Sequence, residues 1–195
     1  LTTTADITPK ALAISGITAA NKVYDGTATA TVSTAGVTDA VLQAGGMVAG
    51  DNITIASSGT FRNAGNTAND KNAGMGKTVA LTNTIAGTDI GNYAITDQLT
   101  TTADITPKAL TASVTASNKV YDGSTSAPAT LTITAGLVGT ETLSTTSSAS
   151  FADKNVATGK LVTVNAINLS NGNNGGLASN YTLAAGQTTT ADITP

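Results

Sequence analysis

The chain repeats itself, and this internal duplication limits its fold more than any other feature of the sequence. The hexapeptide Asn-Lys-Val-Tyr-Asp-Gly occurs at residues 21–26 and again at 118–123. The heptapeptide Thr-Thr-Ala-Asp-Ile-Thr-Pro ends at Pro9, at Pro107 and at Pro195. Repetition of long segments in a fixed order is typical of tandem copies of one folding unit.

The duplication divides the chain into predicted domains. We expect residues 1–9 to be the closing strand or tail of a preceding repeat, 10–107 to be a first repeat and 108–195 a second. Repeats of this size can each bury a core of their own. The aromatic residues follow the same plan, because matched positions carry them in both copies: Tyr24 with Tyr121, Phe61 with Phe151, and Tyr93 with Tyr181.

Alternation of apolar and polar residues predicts β-structure throughout both copies. Residues 110–116 alternate Leu, Ala, Val and Ala with Thr and Ser, and residues 162–166 repeat the pattern. Alternation with a period of two indicates strands with one buried face. A short helix is predicted only at Asp39–Ala44. We therefore predict an all-β chain of two tandem β-rich domains, sandwich-like or related to the β-grasp fold, each with roughly seven or eight short strands.

The repeated segment at residues 101–107 is predicted to be the last strand of one unit and its link to the next. Pro107 removes a backbone donor and restricts φ where the second repeat begins. Few residues remain for a flexible tether, so we expect units joined end to end by short, stiff strand linkers. The copies differ in length around residues 62–69 and 171–176, which we place on surface loops. One extra residue near Ser15–Gly16 is predicted to form a bulge.

Composition disfavours several classes of function. The chain has no His and no Cys, which excludes nucleophile–His pairs and thiol chemistry, and we expect no enzymatic activity. Nine Lys and Arg residues stand against twelve Asp and Glu, so the chain lacks the basic cluster that nucleic acid requires. No apolar run approaches the roughly 20 residues of a membrane-spanning helix, so we expect no membrane insertion by this segment.

The doubled hexapeptide is the main candidate for a site. Asp-Gly suits a tight turn, and an adjacent Tyr can bury its ring while its hydroxyl keeps a polar contact. We therefore interpret the motif as structural, with the following members: Asn21, Lys22, Tyr24, Asp25 and Gly26; Asn118, Lys119, Tyr121, Asp122 and Gly123; and Asp104 and Pro107 at the junction. The alternative is ligand binding, since a tyrosine beside a carboxylate is frequent in glycan sites. Its candidates are Tyr24, Asp25, Tyr121 and Asp122.

Two further hypotheses concern the acidic residues. Ca²⁺ prefers several oxygen ligands, and Asp104 and Asp122 are the candidates for a calcium clamp at the junction. No acidic cluster accompanies them, so we expect no metal or other cofactor and keep calcium as the alternative. A Lys–Asn isopeptide crosslink needs a lysine, an amide and an acid, and Lys119, Asn155 and Asp122 supply those residue types.

A series of short motifs follows the same order in both copies. It runs Ala-Asp-Ile-Thr-Pro-Lys-Ala-Leu, Asn-Lys-Val-Tyr-Asp-Gly, Phe with Asp-Lys-Asn, Gly-Lys and Asn-Tyr. This series resembles the YDG repeat of very large bacterial surface adhesins, including filamentous-haemagglutinin-like proteins and relatives with MBG-type repeats. The resemblance covers the whole chain as two units. It implies a secreted protein, tethered at the outer-membrane surface of a bacterium, in which such units form a stalk.

The resemblance implies a structural stalk or spacer that projects a distal binding region, with neighbouring repeats of the same chain as its partners. The alternative function is a binding module that recognises a host glycan or protein through the variable middle loops. A third hypothesis is homotypic association through exposed edge strands, which would support biofilm cohesion.

Overall fold

The computed structural model describes residues 1–195 and divides them into two compact units. Unit 1 comprises Leu1–Val23 and Thr27–Thr106, whereas unit 2 comprises Tyr24–Gly26 and Pro107–Pro195. Strands dominate both units, and the prediction of an all-β chain with two tandem β-rich domains is confirmed. No helix of the chain has the length and apolar character required to span a membrane.

Unit 1 contains nine strands and one α-helix. In chain order they are β1 (Lys10–Ala13), β2 (Thr18–Ala19), β3 (Lys22–Val23), β4 (Thr29–Ala30), β5 (Val32–Ser33), α1 (Asp39–Ala44), β6 (Thr54–Phe61), β7 (Gly74–Ala86), β8 (Tyr93–Thr96) and β9 (Thr100–Thr106). A 3-10 turn at Ile90–Asn92 precedes β8. The predicted helix at Asp39–Ala44 is confirmed, and Thr38 caps it by accepting a hydrogen bond from the Val41 amide.

A mixed five-stranded sheet in the order β3-β9-β7-β6-β4 forms the centre of unit 1. Strands β6 and β7 make a long antiparallel pair. Strand β9 lies between antiparallel β7 and parallel β3, so the last strand of the unit is internal to its sheet. Two smaller pairs complete the unit, of which β1–β8 is parallel and β2–β5 antiparallel.

Unit 2 repeats this arrangement with eight strands. They are β10 (Lys108–Ala109), β11 (Thr111–Ala116), β12 (Lys119–Val120), β13 (Ala129–Ala135), β14 (Leu143–Phe151), β15 (Ala157–Asn171), β16 (Tyr181–Thr182) and β17 (Thr188–Thr194), with a 3-10 turn at Ala178–Asn180 before β16. The main sheet has the order β12-β17-β15-β14. Strand β17 is again internal, between parallel β12 and antiparallel β15. The closing segments therefore form the last strand of each unit, as predicted.

One phenylalanine lies at the centre of each core. Phe61 and Phe151 are 0 % and 2 % exposed, respectively. Aliphatic residues from matched strands are buried with them in the two copies, because alternate side chains of β7, β9, β15 and β17 point inward. The matched buried residues are Val79 and Ile105 in unit 1, and Val162 and Ile193 in unit 2.

The extra residue of the first copy interrupts a strand. Gly16 has φ +94°, and a Cβ atom there would lie 2.5 Å from the carbonyl oxygen of Gly36. Only glycine fits this left-handed, crowded position. The bulge predicted near Ser15–Gly16 is instead a break between β1 and β2, whereas the matching part of unit 2 is the continuous strand β11. Residues 1–9 share the sequence of the closing strand, but they form no strand.

Candidate functional site

The hexapeptide motif contains a two-residue strand and ends as a turn in both copies. Lys22 and Lys119 open β3 and β12. The final glycines, Gly26 and Gly123, have φ of +81° and +78°. Side chains with a Cβ atom rarely adopt this left-handed conformation, which explains why the turn ends in glycine in both copies.

The asparagine of the motif and the aspartate of the closing strand bond each other reciprocally in unit 1. The Asp104 amide donates to Asn21 Oδ1 (2.7 Å), and Asn21 Nδ2 donates to Asp104 Oδ2 (3.2 Å). The other carboxylate oxygen of Asp104 accepts from the Gly76 amide at 2.7 Å. Gly76 has φ +58° and lies where the register of β7 shifts against β9. One carboxylate therefore joins the hexapeptide strand to an irregularity in the neighbouring strand.

Unit 2 repeats this bonding pattern in full. Asp192 and Asn118 exchange two hydrogen bonds, of 2.8 Å from the Asp192 amide and 3.1 Å from the Asn118 side chain. Asp192 Oδ1 accepts from the Gly159 amide at 2.7 Å, and Gly159 has φ +62°. We name this set of bonds the Asn–Asp clasp.

Replacement of Asp192 by alanine is expected to lower the unfolding free energy of unit 2 by about 1–2 kcal/mol, because the Gly159 amide and the Asn118 side chain lose a charged acceptor. Denaturant unfolding followed by hydrogen exchange of unit 2 amides measures the loss. Asp6→Ala is the matched control, since Asp6 has the same neighbours in sequence but lies in residues 1–9, which form no strand. Equal effects of the two changes would contradict the clasp.

The lysine of the motif ties the turn to the core. Lys22 Nζ donates to the Thr27 carbonyl (2.8 Å) and to the Thr29 carbonyl (3.1 Å), and it lies 5.7 Å from the centre of the Phe61 ring. Lys119 Nζ lies 5.6 Å from the centre of the Phe151 ring. A cation at this distance from an aromatic ring is attracted by its π electrons.

Lys119 also holds the carboxylate of its own turn. Its Nζ donates to Asp122 Oδ1 (2.8 Å) and to the Ser124 carbonyl (2.8 Å), while the Ser124 amide donates to the same Asp122 oxygen (2.8 Å). The bond from Lys119, followed by those from Ser124, lowers the pKa of Asp122 to about 2. Asp122 is thus a structural member of the turn in this arrangement.

The low pKa of Asp122 predicts a loss of stability in acid. The folded state favours the ionised carboxylate, so its contribution is complete above the ordinary pKa of 3.8 and is lost as pH falls from there towards about 2. Thermal unfolding measured through this range is expected to show a steeper decline for the native chain than for Asp122→Asn. Parallel declines would contradict the assignment.

The Asp-Lys-Asn and Gly-Lys motifs meet each other in both units. Lys77 Nζ donates to Asp70 Oδ2 at 2.5 Å, and Lys160 makes the same contact with Asp153. Partial burial opposes ionisation of Asp70, but the bonds from Lys77 and the Asn72 amide outweigh it and lower its pKa. The bond from Lys160 is the main cause of the lowered pKa of Asp153. The two motifs therefore form the same ion pair in both units.

Tyr24 is an internal part of unit 2. Its side chain is 1 % exposed, and its ring meets the ring of Tyr181 edge-on, with 5.4 Å between centroids. The Tyr24 hydroxyl donates to Glu141 Oε1 and the Tyr181 hydroxyl donates to Glu141 Oε2, each at 2.7 Å. The Val138 amide donates to the Tyr181 hydroxyl at 3.0 Å. A single buried carboxylate thus accepts from two buried phenols.

Burial, followed by the bond to Glu141, raises the pKa of Tyr181 to about 12. Sequence reasoning missed Glu141, although it is the only glutamate of the chain. A spacing shared by both copies could have identified it: an acidic residue follows a valine by three positions, as in Val138–Glu141 and Val48–Asp51.

Unit 1 contains the counterpart of this tyrosine–carboxylate site. The Tyr93 hydroxyl donates to Asp51 Oδ2 (2.5 Å) and accepts from the Val48 amide (2.8 Å). The bond to Asp51, followed by burial, raises the pKa of Tyr93. The site borders a surface depression of about 300 Å³, whose lining includes Pro9, Lys10, Val48, Asp51 and Tyr93.

Tyr121 differs from Tyr24 although the two share a hexapeptide. Its side chain is 46 % exposed. Its amide donates to the Thr194 carbonyl at 2.8 Å, which anchors the backbone of the turn to β17. The expectation of a buried ring therefore holds for Tyr24 and is wrong for Tyr121, because the environment of the ring is set by residues remote in sequence.

The acidic metal candidates have separate partners. Asp104 belongs to the clasp with Asn21, whereas Asp122 belongs to the turn with Lys119. No group of three or more His, Cys, Asp or Glu residues is arranged as a metal site. Of the residues considered for an isopeptide crosslink, Lys119 contacts Asp122, while the backbone amide of Asn155 donates to Asp153 Oδ1.

Comparison with known protein families identifies two domains in the chain. A family model described as YDG domain matches residues 8–102 and matches again at 106–191. No curated protein and no solved structure is similar to the chain at a significant level. The two matched ranges contain both tyrosine–carboxylate sites and both copies of the hexapeptide.

Proposed function

The chain belongs to the YDG domain family, and from that premise we propose that it is a structural spacer in the stalk of a secreted or surface-tethered bacterial adhesin. The role is mechanical and not enzymatic: folded units bear load between an anchor and a distal binding region. The adhesin class and the cell-surface location follow the resemblance of the motif series to repeats of filamentous-haemagglutinin-like proteins.

The parallel pairing of β3 with β9 is the observation that carries this proposal. Lys22 lies opposite Ile105 and Val23 lies opposite Thr106. Tension enters unit 1 through β1, which is itself paired in parallel with β8, and passes along the chain to the N-terminal end of β3. It reaches β9 through the C-terminal end of that strand. In a parallel pair these ends point in opposite directions, so the strands are loaded in shear and their hydrogen bonds resist together. Strands β12 and β17 have the same parallel pairing in unit 2.

The use of the matched motifs also supports a structural role. The Asn–Asp clasp, the lysine over the phenylalanine and the Asp–Lys ion pair recur in both units. Each clasp attaches the hexapeptide strand of a parallel pair to the closing strand, which is β3 to β9 in unit 1 and β12 to β17 in unit 2. The polar side chains of these motifs thereby make contacts that hold the sheet closed.

Single-molecule stretching tests the proposal. Pulled through its termini, the chain is expected to unfold in two events, one for each unit, at high force. Thr54→Cys with Ala86→Cys provides the control, because these residues face each other at the open end of the β6–β7 hairpin and pulling there separates bonds one at a time. The chain has no other cysteine, so the handles attach uniquely. Terminal pulling at a force no higher than hairpin pulling would contradict a load-bearing role.

A further inference from the structure

We propose that the depression beside Tyr93 is a docking site for a Tyr-Asp-Gly turn, and that Tyr121–Gly123 of a second copy of this chain can occupy it. The inference goes beyond the proposed spacer role and does not depend on it, since a spacer requires no contact between molecules. It rests on three observations: an occupied example of the site, an equivalent site with an open depression, and an exposed turn of the same sequence.

Unit 2 provides the occupied example. The Tyr24 ring packs on Tyr181 while its hydroxyl donates to Glu141 Oε1, and Gly26 approaches Val138. A Cβ atom at Gly26 would lie 2.8 Å from Val138 Cγ1. The glycine that ends the turn is therefore required for this close approach as well as for its positive φ. The site recognises an aromatic ring and its phenol donor, and the Cγ1 atom of Val138 leaves no room for a side chain at the end of the turn.

Unit 1 contains the same receptor groups. Tyr93 corresponds to Tyr181, Val48 to Val138 and Asp51 to Glu141, and the bonds among them correspond one for one. In both units the segment from the valine to the acid forms a short turn, because the amide of the acidic residue donates to the valine carbonyl, at 3.2 Å for Asp51 and 3.0 Å for Glu141.

The receptor of unit 1 is open to the surface. Asp51 Oδ2 accepts from Tyr93, and Oδ1 is the counterpart of the Glu141 oxygen that accepts from Tyr24. Val48 is 47 % exposed, and it borders the depression of about 300 Å³. Burial of an incoming ring against Val48 and Tyr93 would remove apolar surface from water.

The turn at Tyr121–Gly123 matches the docked turn in sequence and backbone. Gly123 has φ +78° against +81° for Gly26. No atom outside its chain neighbours lies within 4 Å of a Cβ built at Gly123, so the space that Val138 occupies beside Gly26 is open here. Lys119 and Ser124 hold Asp122, and the Thr194 carbonyl holds the Tyr121 amide, so the turn is ordered before it docks. A pre-ordered turn binds at a lower entropic cost.

The proposed contact is heterologous, because each chain carries one exposed turn and one open receptor, and these two surfaces differ in structure. Such contacts join molecules head to tail and need not close into a symmetric dimer. A single tyrosine and its turn bury far less area than a stable interface of roughly 1,200 Å² or more, so the association is weak and is best detected by trapping.

Unit 2 supplies the positive control for disulfide trapping. A Cβ built at Gly26 lies 4.0 Å from Val138 Cβ, which is inside the range of roughly 3.5–4.5 Å found in disulfides. Gly26→Cys with Val138→Cys is therefore expected to form a disulfide within one chain. The equivalent pair for docking between molecules is Gly123→Cys in one chain and Val48→Cys in another.

The test mixes the Gly123→Cys chain with the Val48→Cys chain in a thiol–disulfide redox buffer and measures the crosslinked dimers by mass. Docking is expected to raise the mixed dimer well above its share under random pairing. Tyr121→Ala in the first chain should return that share to the random value. A Gly186→Cys chain is the matched control partner for Val48→Cys, since Gly186 is also an exposed glycine with positive φ (+106°) and open surroundings.

Two outcomes would overturn the proposal. One is a random share of mixed dimer from folded chains that form the Gly26–Val138 control disulfide. The other is an excess that persists after Tyr121→Ala or that appears equally with Gly186→Cys. Sedimentation of the unmodified chain at high concentration gives a second measurement, in which reversible association must weaken on Tyr121→Ala and on Asp51→Ala.

Discussion

Replacement of Phe151 by alanine is expected to lower the unfolding free energy of unit 2 by about 3–5 kcal/mol. The side chain is 2 % exposed and belongs to a buried cluster with Val114, Val162 and Ile193. Its loss leaves a cavity in a core with few other large residues. It also removes the ring below Lys119, a contact worth about 0.5–1 kcal/mol at a partly exposed site. Phe61→Ala should affect unit 1 to a similar extent.

Denaturant titration followed by hydrogen exchange measures this effect, because amides of the two units report separately on their own unfolding. Leu161→Ala is the control within the same sheet: Leu161 is 50 % exposed and should lose less than about 1 kcal/mol. A Phe151→Ala loss as small as that of the control would show that the phenylalanine does not organise the core.

Replacement of Glu141 by alanine is expected to destabilise unit 2 by about 2–4 kcal/mol, because two buried phenols lose their shared acceptor. Glu141 is 7 % exposed and accepts from Tyr24 and Tyr181. Glu141→Gln should cost less, since its amide keeps one oxygen acceptor. Denaturant unfolding of the two variants beside the native chain measures both losses. A loss no greater for alanine than for glutamine would contradict the shared-acceptor arrangement.

Tyrosine titration supplies a readout that general destabilisation would not mimic. The pKa of Tyr181 is raised to about 12 from an ordinary value of 10.0, so its contribution to stability is complete below about pH 10 and is lost as pH rises towards 12. In folded Glu141→Gln, the tyrosinate absorbance of Tyr181 should appear at lower pH. Asp51→Asn is the matched change for Tyr93, whose pKa is also raised.

Local patterns in the sequence were sufficient to predict the strands and their assembly into two units. Alternation of apolar and polar side chains indicates a strand with one buried face. The closing segment repeats with its Asp and Pro at the same positions, which marks the end of each unit. The short helix at Asp39–Ala44 was also predictable, because Thr38 supplies a cap and the segment lacks the alternation of its neighbours. These features depend on residues adjacent in the chain, where pattern analysis is most informative.

The tyrosine–carboxylate sites were not predictable in the same way. Tyr181 and Glu141 are 40 residues apart, and Tyr93 and Asp51 are 42 apart. Tyr24 and Tyr121 have identical local sequences, yet they are 1 % and 46 % exposed. No local rule can separate two identical hexapeptides, since the difference lies in the residues that surround each ring. The parallel strand pairs are likewise long-range, because they join the early part of a unit to its end.

The internal position of the last strand has a consequence for the order in which the chain can fold. Strand β9 separates β3 from β7, so β3 has no sheet partner until Thr100–Thr106 has been synthesised. The same holds for β12 and β17. Pairing across most of a unit's length is entropically costly and therefore slow. Each unit is therefore expected to complete its main sheet only when its final strand arrives, and to close in one cooperative step.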